Sequence, residues 1–450
     1  MKKCRKKFPM ITPSALPAEL VGWDDAHSGG FGFQTSRSPE PIRYLGAGHR
    51  MTLGMTGSGK AVNSAIPQLL TFEGNAIVLD IKSELFHVTH RWRRDALGQQ
   101  IIVIDPYNVA GRKGKGCLNP LDIGPLLGCS TYEAAAMLAT MFCGISQRTA
   151  ITRGSTNDEF WQDQATALLT GVIGAALEGK LTGGSSFPSV RAILKSDDAV
   201  YKLALLLDQN PPSTPFREEI ASFLQTVEVT RSGILSTLTA HFRGLAGEGL
   251  EQALGSSSLD LTAFVHGSLK ATIYVIVPPE HLISANKFLR LIFGTLLSAL
   301  YTRRYIPATK TLVQIDEAAN LGQFDPIRTG VTLFRGSGVI LHTLFQDIDQ
   351  VITNYSDAKT LVNNTSIIRM LGAGNYWQAA MLGELFGISP RVLMNLEPDE
   401  QMLLIDGRPQ RCRRVNYLHD DLYAGRFDPN PRYVMVEPQR SVTCNTASGR

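Results

Sequence analysis

A glycine-rich heptapeptide, Gly54-Met55-Thr56-Gly57-Ser58-Gly59-Lys60, lies between the apolar segment Met51–Leu53 and the helix-competent segment Ala61–Leu70. It has the pattern G-x-x-x-x-G-K, placed between a strand and a helix, where the pattern is far more specific than a bare match. Glycines there let the backbone N–H groups turn inward around phosphate oxygens, and a lysine adds charge for the β and γ phosphates. We therefore predict phosphate binding by a set of loop residues: Gly54, Thr56, Gly57, Ser58, Gly59, Lys60 and Ala61.

The residue after Lys60 departs from this pattern. The motif has Ser or Thr there, whose hydroxyl ligates Mg²⁺, whereas Ala61 has no hydroxyl. Either water fills that coordination position or hydrolysis is impaired. Ser58 and Ser64 are near in sequence, but neither takes the same place. Nucleotide binding is thus a firmer prediction than hydrolysis.

Two carboxylates, Asp316 and Glu317, follow the apolar segment Leu312–Ile315, which is interrupted by the polar Gln314. Asp316, at the carboxyl end of a strand, would hold Mg²⁺ through a water. Glu317 would act as the general base for the attacking water. The pattern alone is weak, but together with Lys60 it predicts a site that binds ATP and Mg²⁺ and hydrolyses ATP.

Two further residues are candidates for the same chemistry. Arg335 lies on a glycine turn before a strand and could be an arginine finger donated to a neighbouring subunit, or only a surface charge. Gln346, just past the strand expected at Gly338–Leu344, could sense the γ-phosphate.

The elements that must position these residues have the periodicity of an α/β fold. Short apolar runs alternate with helix-length segments before about residue 124 and again after about residue 266, which is typical of a buried parallel sheet. Between them, apolar residues recur every three or four positions and strand patterns are absent. We predict four parts: an irregular lead-in (1–45), a nucleotide-binding domain (46–124 and 266–415), an inserted all-α domain (125–265) and a C-terminal tail (416–450).

Composition excludes several other classes of protein. The formal net charge of the 450 residues is only +4, with one basic cluster at Lys2, Lys3, Arg5, Lys6 and Lys7. This cluster is either a solvated tail or a contact for membrane or nucleic acid. The six cysteines are scattered, which argues against a disulfide framework or structural zinc and fits a cytoplasmic protein. The longest apolar run, Leu289 to Tyr301, is too short to span a membrane and is expected to be a buried helix.

Several motifs in one order resemble the type IV coupling proteins, the ATPases of conjugative DNA transfer. They begin with the loop Gly54 to Lys60 and continue through a series of segments over roughly residues 24 to 430: Ile66-Pro67, Val78 to Phe86, Cys117 to Leu121, Phe160-Trp161, Tyr274 to Pro279, Asp316 to Gly322, Arg335 to Gly338, Gln346, Pro398 to Gln401 and Ala424 to Arg426. Several motifs in one order are far more specific than any single match.

The resemblance implies a RecA-like P-loop ATPase with an inserted all-α domain, working as a hexameric ring. It implies that ATP hydrolysis passes DNA, a relaxase–DNA complex or an effector protein to a type IV secretion channel. Arg335 would then act across a subunit interface. Relatives often have glycine at the place of Ala61, so they also lack the hydroxyl.

Three departures from the family pattern leave alternatives open. Family members usually begin with membrane-spanning helices, which this chain lacks; Ser83 and Asn63 stand where glycine is frequent. We expect a cytoplasmic protein, peripheral at the inner membrane if a membrane-anchored partner or the basic cluster recruits it. The alternatives are a cytoplasmic DNA helicase-like ATPase and a nucleotide-binding cargo adaptor without efficient turnover.

Overall fold

The computed structural model describes residues 19–24, 39–111, 116–144 and 156–433 of the chain. Eleven strands within these residues form one sheet. The strands are β1 (Glu19–Asp24), β2 (Glu40–Tyr44), β3 (His49–Leu53), β4 (Asn75–Asp80), β5 (Gln100–Ile104), β6 (Ala271–Ile276), β7 (Thr311–Ile315), β8 (Val339–Phe345), β9 (Thr365–Met370), β10 (Glu400–Ile405) and β11 (Arg408–Arg413).

The strand order is β2-β1-β11-β10-β9-β3-β8-β7-β4-β6-β5. Seven neighbouring strands are parallel: β9, β3, β8, β7, β4, β6 and β5. The other four, β10, β11, β1 and β2, extend the sheet with antiparallel pairs. Because parallel strands end at one edge, the segments that follow β3, β4, β7 and β8 meet at the carboxyl edge of the sheet.

Helices cover both faces of the sheet. They are α1 (Ile66–Thr71), α2 (Glu84–Asp95), α3 (Thr131–Cys143), α4 (Thr156–Leu177), α5 (Phe187–Leu194), α6 (Ala199–Gln209), α7 (Thr214–Gln225), α8 (Glu228–Phe242), α9 (Glu248–Ala253), α10 (Leu261–His266), α11 (Asn286–Tyr301), α12 (Asp325–Leu333), α13 (Ile348–Asn354), α14 (Ala358–Asn363), α15 (Tyr376–Phe386) and α16 (Pro390–Met394). One core joins α1 and α2 to the sheet, and a larger one joins the other face to α3–α16.

The described residues between β5 and β6 are helical, in keeping with their three- and four-residue apolar period. Their longest helix, α4, packs closely against α7, where a Cβ added at Gly174 would lie 2.1 Å from Cδ1 of Phe216. Since one hydrophobic core runs without a break from these helices to the sheet, the division into a nucleotide-binding domain and an inserted domain stays a prediction.

Two parts expected to be irregular are ordered. The prediction of an irregular lead-in over residues 1–45 is wrong for β1 and β2, which pair with each other, while β1 also pairs with β11. β1 depends on a partner far along the chain, which a local pattern cannot reveal. The expected loose tail after residue 415 is also wrong for its first part, because Tyr417 and Tyr423 are buried against the face that holds α1 and α2. The basic cluster from Lys2 to Lys7 lies outside the described residues.

The apolar run Leu289 to Tyr301 belongs to α11, which is buried along most of its length, as predicted. Within the described ranges, no helix combines the length and apolar character needed to cross a membrane.

Candidate nucleotide-binding site

The glycine-rich loop connects β3 to a helix at the carboxyl edge of the sheet. Its entry is fixed by the Gly54 N–H, which donates to the carbonyl oxygen of Phe345 at the end of β8 (3.2 Å). Gly57 and Gly59 have φ values of 83° and 88°, a region that residues with a Cβ rarely adopt. The chain then makes one π-helical turn, Ala61–Ala65, before α1 begins. The backbone therefore has the turn that a phosphate cradle requires.

Lys60 lies at the centre of this edge and is almost completely buried. Its Nζ donates to the carbonyl oxygen of Gly54 (2.7 Å) and lies 3.4 Å from Oε1 of Glu317. Two residues predicted to act together, 257 positions apart in the sequence, are thus brought within contact distance. Lys60 joins the phosphate loop to the segment after β7.

Glu317 is held from two sides. Its second carboxylate oxygen, Oε2, accepts a hydrogen bond from Nε2 of Gln346 (3.2 Å), which follows β8. The backbone N–H of Gln346 in turn donates to Oε1 of Gln350 (2.9 Å). Glu317 has a φ of 50°, in the left-handed region that costs a non-glycine residue about 1–3 kcal/mol. Strain of this kind persists where the surroundings fix the side chain, and here Lys60 and Gln346 fix it.

Two buried carboxylates, Asp316 and Asp80, lie at the ends of the neighbouring strands β7 and β4. Burial raises the pKa of each to about 7; repulsion from Asp316 adds to the rise for Asp80, and repulsion from Glu317 adds to the rise for Asp316. Asp80 accepts from the backbone N–H of Phe86 (2.8 Å) and of Lys82 (3.3 Å). The sequence prediction assigned the metal to Asp316 and gave Asp80 no part in the site.

These carboxylates fit a divalent cation. Two acidic groups whose pKa values are raised by burial and by neighbouring carboxylates are stabilised in their charged form by a nearby cation. The described residues hold no cluster of three or more His, Cys, Asp or Glu suited to a metal. Mg²⁺ takes one or two carboxylates, a number that Asp316 and Asp80 can supply, and completes its octahedron with water and phosphate oxygens.

Ser83 stands where relatives often have glycine. Its φ is 54°, a left-handed backbone conformation that glycine adopts without strain. The next residue, Glu84, is buried and accepts from Nδ2 of Asn430 (3.1 Å). This contact ties the segment after β4 to the part of the chain that was expected to be a loose tail.

Arg414 is a contact of the phosphate loop that sequence reasoning missed. Its guanidinium donates to three carbonyl oxygens: those of Ser58 (2.9 Å), Leu371 (3.0 Å) and Glu400 (2.6 Å). It therefore fastens the loop to the segment that follows β9 and to the start of β10. Arg414 follows strand β11 with no motif around it, so nothing local signals the contact.

No serine takes the place of the hydroxyl that Ala61 lacks. Ser64 lies in the interior and bonds Thr52 Oγ1 (2.8 Å). The Ser58 hydroxyl is buried, close to Gly54, and has no hydrogen-bond partner among the described residues. A metal here would need water at that coordination position.

Arg335 is not part of this group of residues. It lies in the turn before β8, at the amino edge of the sheet, is exposed, and donates to Oγ of Ser366 (3.4 Å). Lys60, Glu317 and Gln346 lie at the carboxyl edge. The structure brings three of the four predicted catalytic residues together and leaves Arg335 on the other side of the sheet.

Comparisons with known proteins agree with this architecture. The family described as "Type IV secretory system Conjugative DNA transfer" matches residues 26–389. Among curated proteins, the chain is 23% identical over 380 residues to "Conjugal transfer protein TraG" of Escherichia coli, covering 79% of the chain and 56% of TraG. It is 25% identical over 440 residues to "Protein VirD4" of Rhizobium radiobacter, covering 86% and 60%. The chain thus spans less than two thirds of the length of these relatives.

Solved structures share the fold. "Bacterial conjugative coupling protein TrwBdeltaN70" in its unbound monoclinic form superposes with a TM-score of 0.61 at 14% identity, over 83% of this chain and 86% of that one. A second TrwB structure, in complex with the non-hydrolysable ATP analogue ADPNP, gives a TM-score of 0.60 over 82% and 85%. The predicted RecA-like P-loop fold with a mostly parallel sheet is confirmed.

Proposed function

The chain belongs to the type IV secretory system conjugative DNA transfer family, and from this premise we propose that it is an ATPase that drives DNA or a DNA–protein complex into a type IV secretion channel. The observation that carries the proposal is the meeting of Lys60, Glu317 and Gln346 at one edge of the sheet.

Each of these residues has a place in the hydrolysis of ATP. Lys60 leaves its contacts with Gly54 and Glu317 and binds the β and γ phosphates. Glu317 takes a proton from the attacking water as the oxygen bonds to the γ-phosphorus and the bond to ADP breaks. Gln346 holds the carboxylate of Glu317 toward that water. Asp316, with Asp80, would hold Mg²⁺, which neutralises charge on the phosphates.

Arg335 supports a ring in which each site is completed by a neighbour. It is exposed at the amino edge of the sheet, so its own Lys60 is out of reach. In a head-to-tail ring, proposed to have six subunits, one subunit's amino edge can face the next one's carboxyl edge. Arg335 would then stabilise the transition-state charge of the neighbour's ATP, which makes hydrolysis depend on assembly.

The names of relatives support the proposed cargo and partners. One relative is named a conjugal transfer protein, and a structural neighbour is titled a conjugative coupling protein. We propose that DNA, alone or with a relaxase, passes through the ring, and that helices α3–α10 select the cargo. A membrane-anchored partner among the channel components would hold the ring at the inner membrane. Contacts with DNA would be mainly to phosphates, so binding should weaken steeply with salt.

The test separates nucleotide binding from turnover. ATP hydrolysis is measured with and without DNA for the wild type, Lys60→Ala, Glu317→Gln and a control, Arg94→Ala, whose arginine is exposed and pairs with Asp95. We expect background turnover from the first two variants and wild-type turnover from the control. Glu317→Gln should still bind an ATP analogue. If the wild type hydrolyses no more ATP than Lys60→Ala, the motor function is excluded.

Ala61 favours a second candidate, a cargo adaptor that binds nucleotide without efficient turnover. Ala61 has no hydroxyl, and the Ser64 hydroxyl is already bonded to Thr52. Tight binding of ATP by the wild type, with background hydrolysis in the presence of DNA, would support the adaptor. Strand unwinding without any secretion partner would instead support a helicase-like ATPase.

A further inference from the structure

A row of polar side chains crosses the interior of the sheet below the phosphate loop. It comprises Arg369 on β9, Thr52 on β3, His342 on β8 and Gln314 on β7, all almost fully buried. Thr52 is paired in register with Arg369, and Gln314 with His342. Ser64, from the π-helical turn after Lys60, lies against the row.

Hydrogen bonds connect all five side chains. Arg369 donates to the Ser64 hydroxyl, which lies 2.8 Å from Oγ1 of Thr52. The Nε2 of His342 is 3.0 Å from Oγ1 of Thr52 and 3.2 Å from Oγ of Ser64. On the other side of the ring, Nδ1 of His342 is 3.1 Å from Oε1 of Gln314. His342 is the only one of the five that touches both Gln314 and the serine–threonine pair.

The chemistry of the end groups sets the direction of these bonds. A guanidinium can only donate, so Ser64 accepts from Arg369, and the amide oxygen of Gln314 can only accept, so Nδ1 of His342 carries a proton. Burial lowers the pKa of His342 well below its ordinary value, which keeps the imidazole neutral. Its Nε2 then accepts from the hydroxyl of Thr52 or Ser64. One directed chain therefore runs from β9 to β7.

Stability alone does not account for this chain. Buried polar groups gain little over apolar side chains of similar volume, and each one left unpaired costs about 1–3 kcal/mol. The Nε2 of Gln314 is such a group, since it is buried and has no partner among the described residues. Apolar residues at these places would fill the same interior without that cost.

Gln314, at one end of the hydrogen-bonded chain, and Ser64, next to its other end, adjoin the two halves of the site. Gln314 lies two residues before Asp316 and three before Glu317, whereas Ser64 lies in the helical turn that Lys60 starts. We propose that His342 is a positioning residue that sets the register of the Asp316–Glu317 segment against the phosphate loop. It acts only through these groups and contacts no phosphate, and the inference rests on the proposed ATPase function.

The first test compares His342→Leu and His342→Gln with the wild type and with Gln99→Leu. Gln99 is a matched control because it is also buried and is hydrogen-bonded to Thr272. It directly precedes β5, at the edge of the sheet opposite the site. We expect His342→Leu to lower kcat by about 10- to 100-fold, as misplacement of catalytic groups does, and to change the affinity for an ATP analogue by less than about threefold. Glutamine keeps one donor and one acceptor and should restore part of kcat. Gln99→Leu should lower the stability without lowering kcat.

The second test asks whether Gln314 and Ser64 influence each other through the imidazole ring of His342. Gln314→Leu and Ser64→Ala remove groups that touch His342 but are not hydrogen-bonded to each other. Their effects on kcat should be non-additive in the wild type and additive in the His342→Leu background. If the leucine variant does not fold, this cycle uses His342→Ala, which also removes both ring nitrogens.

The outcomes separate the inference from the function on which it rests. A wild type that does not hydrolyse ATP refutes the ATPase function and the inference with it. An active wild type whose His342 variants match Gln99→Leu in kcat refutes the inference alone. So does a fall in kcat with an equal loss of nucleotide affinity, because general loosening of the fold would cause both.

Discussion

Mixing two inactive variants tests whether Arg335 acts on a neighbouring subunit. In the structure Arg335 precedes β8, and Gln346 follows it. The seven residues of β8 rise about 3.3 Å each, so the two ends of the strand lie about 20 Å apart. An arginine side chain cannot cross that distance, and Arg335 already contacts Ser366. A contribution to hydrolysis must therefore come from the next subunit.

The size of the effect follows from this geometry. Arg335→Ala alone should lose about 10³- to 10⁵-fold in kcat, the usual contribution of an arginine finger, and Lys60→Ala should be equally inactive. In a ring assembled at random from equal amounts of the two variants, about a quarter of the interfaces combine an intact Lys60 with an intact Arg335. The mixture should then regain about a quarter of wild-type turnover, at least about 250-fold above either variant alone.

The assay is steady-state ATP hydrolysis with DNA present, after the variants have been mixed under conditions that allow subunit exchange. Arg328→Ala is the control, because Arg328 is also exposed and lies on α12, where it pairs with Asp357. It should keep wild-type turnover. If the mixture stays as inactive as its components while wild-type and variant subunits demonstrably exchange, Arg335 does not act in trans. Full activity of Arg335→Ala would refute any function of this residue in hydrolysis.

Three further predictions concern single sites. Gln346→Ala removes a hydrogen bond to the charged Glu317, an interaction of about 1.5–3 kcal/mol, so kcat should fall about 10- to 150-fold with little change in ATP-analogue affinity; unchanged kcat would contradict the contact's importance. Burial lowers the pKa of Lys287 to about 8, below its value in the unfolded chain. The unfolded state therefore binds more protons above pH 8, and the free energy of unfolding, measured with urea, should rise from pH 8 toward pH 10. Lys287→Met should remove this rise. Gly174→Val would place a side chain against Phe216 and should lower the free energy of unfolding by about 1–3 kcal/mol, whereas equal urea midpoints would show that α4 and α7 can separate there.

Most elements of the nucleotide-binding fold were predictable because their signals are local. The strand expected at Gly338–Leu344 differs from β8 by one residue at each end, and the apolar segments Met51–Leu53 and Leu312–Ile315 lie within β3 and β7. A buried parallel strand needs a continuous apolar run, and such a run is visible in the sequence. The antiparallel extension was not predictable in the same way. β1 is short and depends on pairing with β11, almost 400 residues away.

The residues of the site also fall into two groups, those with a local motif and those that depend on contacts distant in sequence. Motifs identified Lys60, Glu317 and Gln346, because phosphate binding and water activation need particular residue types at particular strand ends. Asp80 and Arg414 were missed as site residues, since each acts through groups that are distant in sequence. Gln314 was visible only as a polar residue in an apolar strand.

The sequence by itself determined which residues are candidates for binding phosphate and activating water, because a glycine loop with lysine and a strand ending in two acids require only local spacing. Tertiary structure decided which groups meet. The parallel order β3-β8-β7-β4 brings Lys60, Gln346 and Glu317 to one edge and leaves Arg335 at the other. It also places Gln314 beside His342. Strand order is set by burial and pairing between distant segments, which no local pattern encodes.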